Sequence, residues 1–163
     1  MTSREAFAPL VAAHQQAVRA FLRRLCGEVA EADDLAQEVF IAAWTSLDSF
    51  RRGENIRLWL YGIAYRKYLA SRRAAGRRRQ REARIAEITE TVQNPDADAR
   101  LDLQKAMMAL SEAQRAAVAL CLAAGVSHGD AAALLGLPLG TVKAHVARGR
   151  ATLLAMLERD HDG

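Results

Sequence analysis

Residues 141–150 bring six side chains suited to nucleic acid within about three helical turns: Thr141, Lys143, Ala144, His145, Arg148 and Arg150. At helical spacing Thr141, Ala144, His145 and Arg148 share one face, while Val142, Val146, Leu153 and Leu157 share another. One side can pack while the other enters a major groove. His145 and Arg148 are the expected base readers; an arginine pairs bidentately with guanine O6 and N7 for about 1–3 kcal/mol of discrimination. Thr141 suits a phosphate or a thymine methyl, and Lys143 and Arg150 flank the face as phosphate contacts.

A second constellation lies upstream. Arg57, Tyr61, Tyr65, Tyr68 and Arg72 recur at spacings of 4, 4, 3 and 4, and Arg73 follows. Tyrosine rings between cations offer stacking surfaces worth about 1–3 kcal/mol per unpaired base, and the arginines hold phosphates. The alternative is that individual tyrosines cover a core with their hydroxyls outward, because Ile56, Trp59, Leu60 and Ile63 form an apolar stripe beside them. A third constellation is acidic. Asp34, Gln37, Glu38 and Ile41 share a helical face, and Leu35, Val39, Ala43 and, at its edge, Trp44 turn the other way. That face reads either as a solvated surface or as a docking site for a basic partner, with Ile41 supplying an apolar contact.

The elements that must position these groups are helical. Phe7, Leu10, Val11, His14, Val18, Phe21, Leu22 and Leu25 predict a first helix that begins near Pro9 and ends at Gly27. A second is predicted over 31–44, a polar loop over 48–54, and a third helix from 55 to near 73. Residues 77–100 pass from basic to acidic and contain Asn94–Pro95, which predicts a linker, partly helical at its start. Helical patterning resumes at Leu101. Ser111 and Gln114 form a capping-box pair for a helix ending at Gly125, and residues 127–157 read as two helices joined by a Gly-Leu-Pro turn.

The expectation is therefore an all-α chain of two small helical domains, 1–76 and 101–163, joined by a flexible linker, 77–100. Hydrophobic residues make up 51% and aromatic ones only 6%, which suits Ala- and Leu-rich helical cores. No apolar run reaches the roughly 18 residues of a membrane span, so a cytoplasmic protein without membrane insertion is expected. Cys26 and Cys121 sit in apolar patterns as expected buried, reduced thiols. His14, His128, His145 and His161 have no ligand spacing, and no Gly-rich phosphate loop or nucleophile constellation is present, so no metal, cofactor or catalytic activity is expected. The net charge of +4 is unevenly spread: residues 51–84 hold 12 basic and 2 acidic side chains. Such a concentrated patch is an electrostatic footprint for nucleic acid.

Three segments together resemble the sigma-70 family of initiation factors, in its small extracytoplasmic-function (ECF) group. EADDLAQEVFIAAW (31–44) resembles the region 2 helix that binds the clamp of core RNA polymerase. NIRLWLYGIAYRKYLASRR (55–73) resembles the −10-element segment, and residues 110–157 resemble region 4, which reads the −35 element. The resemblance implies that Asp34, Gln37, Glu38 and Ile41 dock on core RNA polymerase. It implies that the 46–54 loop with Arg57, Tyr61, Tyr65, Tyr68, Arg72 and Arg73 captures the −10 strand. Thr141, Lys143, Ala144, His145, Arg148 and Arg150 would read −35 duplex. The acidic linker, 87–102, would thread toward the polymerase active-site cleft, and a cognate anti-sigma factor would hold the protein inactive. Gly62, Tyr65–Arg66 and Ala144–His145 depart from common family residues, and these departures bear on the promoter sequence and the melting efficiency but not on polymerase docking. Two other readings stay open from residues alone. One is a stand-alone LuxR-like helix-turn-helix regulator, which has no use for the 34–38 face; the other is a decoy that binds polymerase or an anti-sigma factor without initiating.

Overall fold

Gly27 ends helix α1 (Phe7–Cys26) by adopting φ 74°, which returns its amide to the Arg23 carbonyl at 2.9 Å. A glycine enters this left-handed region at no steric cost. The computed structural model describes residues 4–51, 53–82 and 99–162. Helix α2 (Val29–Thr45) follows, then a single 3-10 turn (Leu47–Ser49). Helix α3 (Ile56–Glu82) is capped by Asn55, whose Oδ1 accepts from the amides of Arg57 at 3.0 Å and Leu58 at 3.4 Å.

The C-terminal unit holds α4 (Ala99–Ala109), α5 (Glu112–Val118) with a π-helical turn (Ala119–Ala123), α6 (His128–Leu135) and α7 (Leu139–His161). The Ser111 hydroxyl caps α5 by accepting from the Gln114 amide, and the Ser127 hydroxyl caps α6 by accepting from the Asp130 amide. Gly136, at φ 67°, makes the turn between α6 and α7. No strand occurs among the described residues, and the chain is all-α as the sequence predicts. The third helix is longer than predicted. It runs past the end expected near residue 73 and through the start of the linker, itself expected to be partly helical, to Glu82, carried by alanine, arginine and glutamine, which are strong helix formers. The Asn94–Pro95 break and residues 83–98 of the linker lie outside the described residues.

Each unit buries an apolar core. Val18, Phe21, Leu22 and Leu25 of α1 meet Leu35 and Val39 of α2 and Leu60, Ile63 and Ala64 of α3. In the second unit Ala116, Ala117 and Val118 of α5 meet Val142, Val146 and Leu153 of α7. The units also pack on each other, α1 against α4 and α5 and α3 against α6, so that buried residues of both form one cluster. Where α5 and α7 cross, Gly149 allows the closest approach: a Cβ there would stand 2.6 Å from Cγ2 of Val118.

Gly149→Ala sets a gain in helix propensity of about 1 kcal/mol against an overlap that forces two buried helices apart, costing about 1–3 kcal/mol. Urea unfolding is expected to show net destabilisation. Gly140→Ala in the same helix meets nothing within 4 Å and is expected to be neutral or stabilising.

Candidate nucleic-acid interface

Asp34, Gln37 and Glu38 are all exposed on α2, and Ile41 beside them is 67% exposed. Leu35, Val39 and Ala43 are buried on the opposite side. Trp44 is not turned inward: it is 41% exposed, with its ring 5.0 Å from Phe7 and the Arg4 guanidinium 5.3 Å above it. The four candidate docking residues thus form one open surface, three polar side chains around an apolar one.

Helix α3 distributes its residues differently from the sequence expectation. Tyr61 and Tyr68 are 1% and 0% exposed, so neither ring offers a face to a base in this structure. Tyr61 packs 5.1 Å from Phe21, and its hydroxyl accepts from Arg57 Nε at 2.9 Å. Tyr68 stacks 6.4 Å from the half-buried Tyr65, with the Arg72 guanidinium 5.2 Å from its ring. Burial pushes the phenols of Tyr65 and Tyr68 above their ordinary range. The physical reason is the position of the tyrosine stripe. It borders the apolar stripe, and α1 and the C-terminal unit close over both. Arg57 remains exposed but donates to the Ala124 carbonyl at 3.0 Å, half-buried Arg72 donates to the Cys26 carbonyl at 3.4 Å, and Arg73 stays exposed.

On α7, Lys143, Arg148 and Arg150 are exposed, whereas Thr141, Ala144 and His145 are half-buried. His145 Nδ1 is buried without a partner, so that edge of the ring is turned away from a groove. Val142 and Val146 are buried as expected; Leu157 is only half-buried. The helix-turn-helix therefore presents cations outward on a face whose smaller members sit close to the protein.

One residue missed by the sequence reading ties these parts together. Arg115 is 7% exposed, and each of its five N–H groups has an acceptor. Nε donates to Met107 O at 2.9 Å, and Nη2 donates to Met108 O and Leu110 O at 3.1 and 3.0 Å. Nη1 crosses to the N-terminal unit, where it donates to Leu25 O at 3.2 Å and to the Tyr68 hydroxyl at 3.3 Å. The charge sits against the carbonyl ends of α1 and α4, where the helix dipoles favour a cation. Gln104 adds a hydrogen bond to the Gly27 carbonyl. The available signal was a lone arginine opening the unbroken apolar run 116–124. Among the described residues no group of three His, Cys, Asp or Glu side chains could hold a metal, and no helix is long and apolar enough to cross a membrane. Both cysteines are free; Cys26 is buried, and Cys121 is only half-buried.

Two family models match the chain: Sigma-70 region 2 over residues 10–78, and Sigma-70, region 4 over residues 100–153. The chain is 36% identical over 147 residues to the ECF RNA polymerase sigma factor EcfG of Rhodopseudomonas palustris (strain TIE-1), a match covering 88% of this chain and 80% of that one. It is 35% identical over 162 residues to the RNA polymerase sigma factor NccH of Alcaligenes xylosoxydans xylosoxydans, covering 94% of this chain and 87% of that one. Its structure is similar to that of the sigma factor RpoE from Bartonella quintana in complex with the anti-sigma factor NepR. The TM-score is 0.82 at 32% identity, covering 93% of this chain and 96% of that one.

Arg115→Leu would leave carbonyls at two helix ends without their donor, and is expected to cost about 3 kcal/mol in urea unfolding. Tyr68→Phe removes a single acceptor from the same network and is expected to cost only about 1 kcal/mol. Burial, reinforced by Glu31 and opposed by Arg72, pushes the Cys26 thiol from its ordinary 9.0 up to about 12. The folded state therefore holds that proton more tightly than the unfolded chain. The resulting stability is fully present below pH 9.0 and is lost as pH rises toward about 12. At pH 8, iodoacetamide is expected to modify Cys26 only as fast as the protein unfolds, read by mass spectrometry in rising urea.

Proposed function

Because this chain belongs to the sigma-70 family and is an ECF RNA polymerase sigma factor, we propose that α2 docks it on core RNA polymerase while α3 and α7 meet promoter DNA. The observation that carries this division is the contrast in exposure. Asp34, Gln37, Glu38 and Ile41 are open to solvent, whereas Tyr61 and Tyr68 are closed and α6 lies against α3. Docking can proceed on the protein as it stands. Strand capture requires the two units to part, which would free Tyr68 and Tyr65 beside Arg72, with Arg73 already exposed; Tyr61 stays within the N-terminal core. The half-helix from Arg57 and the loop before it then hold the −10 strand. On α7, Arg148 reads a base edge, Lys143 and Arg150 hold phosphates, and Thr141, Ala144 and His145 line the close approach to −35 duplex.

The protein contributes binding energy and strand capture to the polymerase and performs no chemistry of its own. It works in the cytoplasm beside the polymerase and needs no cofactor. A cognate anti-sigma factor is its inhibitor; the similarity of both units together to a relative solved with such a factor supports this. The stand-alone LuxR-like regulator is disfavoured by the region 2 match over residues 10–78, which that reading leaves unused. The acidic linker's path through the polymerase is part of the same reading, though residues 83–98 lie outside the described residues.

Binding of fluorescently labelled protein to purified core RNA polymerase tests the division. An Asp34→Ala/Gln37→Ala/Glu38→Ala variant with unchanged circular dichroism is expected to bind at least about tenfold more weakly, equivalent to about 1.4 kcal/mol. Equal affinity of the two proteins would remove α2 from the docking surface. Absence of binding by folded wild type would overturn the reading itself.

A further inference from the structure

The C-terminal unit makes hydrogen bonds to the same α3 groups that the −10 strand needs. Arg57 Nη2 donates to the Ala124 carbonyl at 3.0 Å, while its Nε donates to the Tyr61 hydroxyl. Ala124 closes the π-helical turn, where a helix end leaves carbonyls without intrahelical donors. About 16 Å further along α3, the Tyr68 hydroxyl accepts from Arg115 Nη1 at 3.3 Å. Between these two points Trp59, Gly62 and Arg66 face Asp130 and Leu134 of α6 across an open groove. The seam is therefore held at its ends and loosely filled in its middle. Arg115 is itself divided between the units. Its Nε and Nη2 stay with the carbonyls of Met107, Met108 and Leu110 in its own unit, and only Nη1 reaches across, to Leu25 and Tyr68. Parting the units turns Nη1 to water and strands no charge in an apolar interior.

We propose that these contacts form an autoinhibitory latch within the chain: the Ala124 carbonyl and Arg115 occupy Arg57 and Tyr68, so closure of the units and capture of a single strand exclude each other at the same atoms. The proposal rests on the reading of α3 as the −10 segment. At Arg57 the carbonyl oxygen stands where a phosphate oxygen would, as the acceptor for one guanidinium N–H. At Tyr68 closure removes the ring, which is 0% exposed and offers no face to a base. A strand that binds α3 must first open the latch, so its apparent affinity is the intrinsic affinity scaled by the open fraction. The two points are unequal. Arg57 is exposed and its contact exchanges readily with solvent, whereas Arg115 is 7% exposed and sets the hold of the latch. A third seam contact, from Gln104 to the Gly27 carbonyl, lies away from α3 and supports closure without touching the strand-holding groups.

The test uses the full chain, without polymerase, and a pool of fluorescein-labelled single-stranded DNA of random sequence. Arg115→Lys keeps the charge but not the planar fork that spans both units. Gln104→Ala changes no charge and leaves α3 intact. Small-angle X-ray scattering reads whether the units part, and fluorescence anisotropy reads strand affinity. Arg115→Lys is expected to enlarge the radius of gyration and to bind the strand at least about tenfold more tightly than wild type; Gln104→Ala is expected to move both readings in the same direction, with a gain of about threefold. If circular dichroism shows Arg115→Lys to be unfolded, Gln104→Ala decides. An enlarged radius with unchanged strand affinity would overturn the latch, because closure would then not oppose capture. Unchanged radius and affinity in folded variants would overturn it too, since these contacts would then not hold the units together. Absence of strand binding by every protein, parted ones included, would instead overturn the reading of α3 as the −10 segment.

Discussion

A guanidinium in a protein interior must find an acceptor for each N–H or the burial is prohibitive, and Arg115 finds five. Four of them are backbone carbonyls at the ends of α1 and α4 or just beyond, groups that helix geometry leaves without intrahelical donors. One side chain thereby satisfies two helix termini, fixes the α4–α5 corner and reaches the Tyr68 hydroxyl in the other unit. Because partner and charge are both buried, the interaction is insensitive to salt in a way that surface ion pairs such as Arg23–Asp33 are not. The relative placement of the two units hangs on this junction more than on any other polar contact.

That junction also decides which surfaces are available. It draws the C-terminal unit over the inner face of α3, closing Tyr68, while α6 covers the groove beside Trp59 and Gly62. The acidic face of α2 points elsewhere and is untouched. In this arrangement the 34–41 face of α2 is open while Tyr68 is closed, so the two surfaces differ in what they offer a partner. The hydrogen-bonded part of the junction is worth a few kcal/mol and adds to the apolar contacts that the two units share.

Much of this was legible in the sequence because it is local. Gly27 and Gly136 end helices where only glycine takes positive φ cheaply, and Ser111 and Ser127 cap helices through their own hydroxyls. The 3.6-residue period separated the buried Leu35, Val39 and Ala43 from the exposed Asp34, Gln37, Glu38 and Ile41. The tyrosines were harder. Periodicity placed Tyr61, Tyr65 and Tyr68 on one face correctly, yet an amphipathic ring serves equally as a stacking platform or a core side chain. His145 shares that ambiguity, with Nδ1 buried although its position belongs to the outward face.

The sequence by itself determined the helices, the ends marked by Gly27, Gly136, Ser111 and Ser127, the apolar faces and the family, since these follow from residue type and spacing within a few turns. Tertiary structure alone decided that Arg115 is an interior cation, that Tyr61 and Tyr68 are closed, and that the two units close on one another. Those outcomes depend on contacts between residues as far apart as Leu25 and Arg115. Whether a given face of a helix meets solvent or another helix is set by what folds back onto it, and no local pattern carries that information.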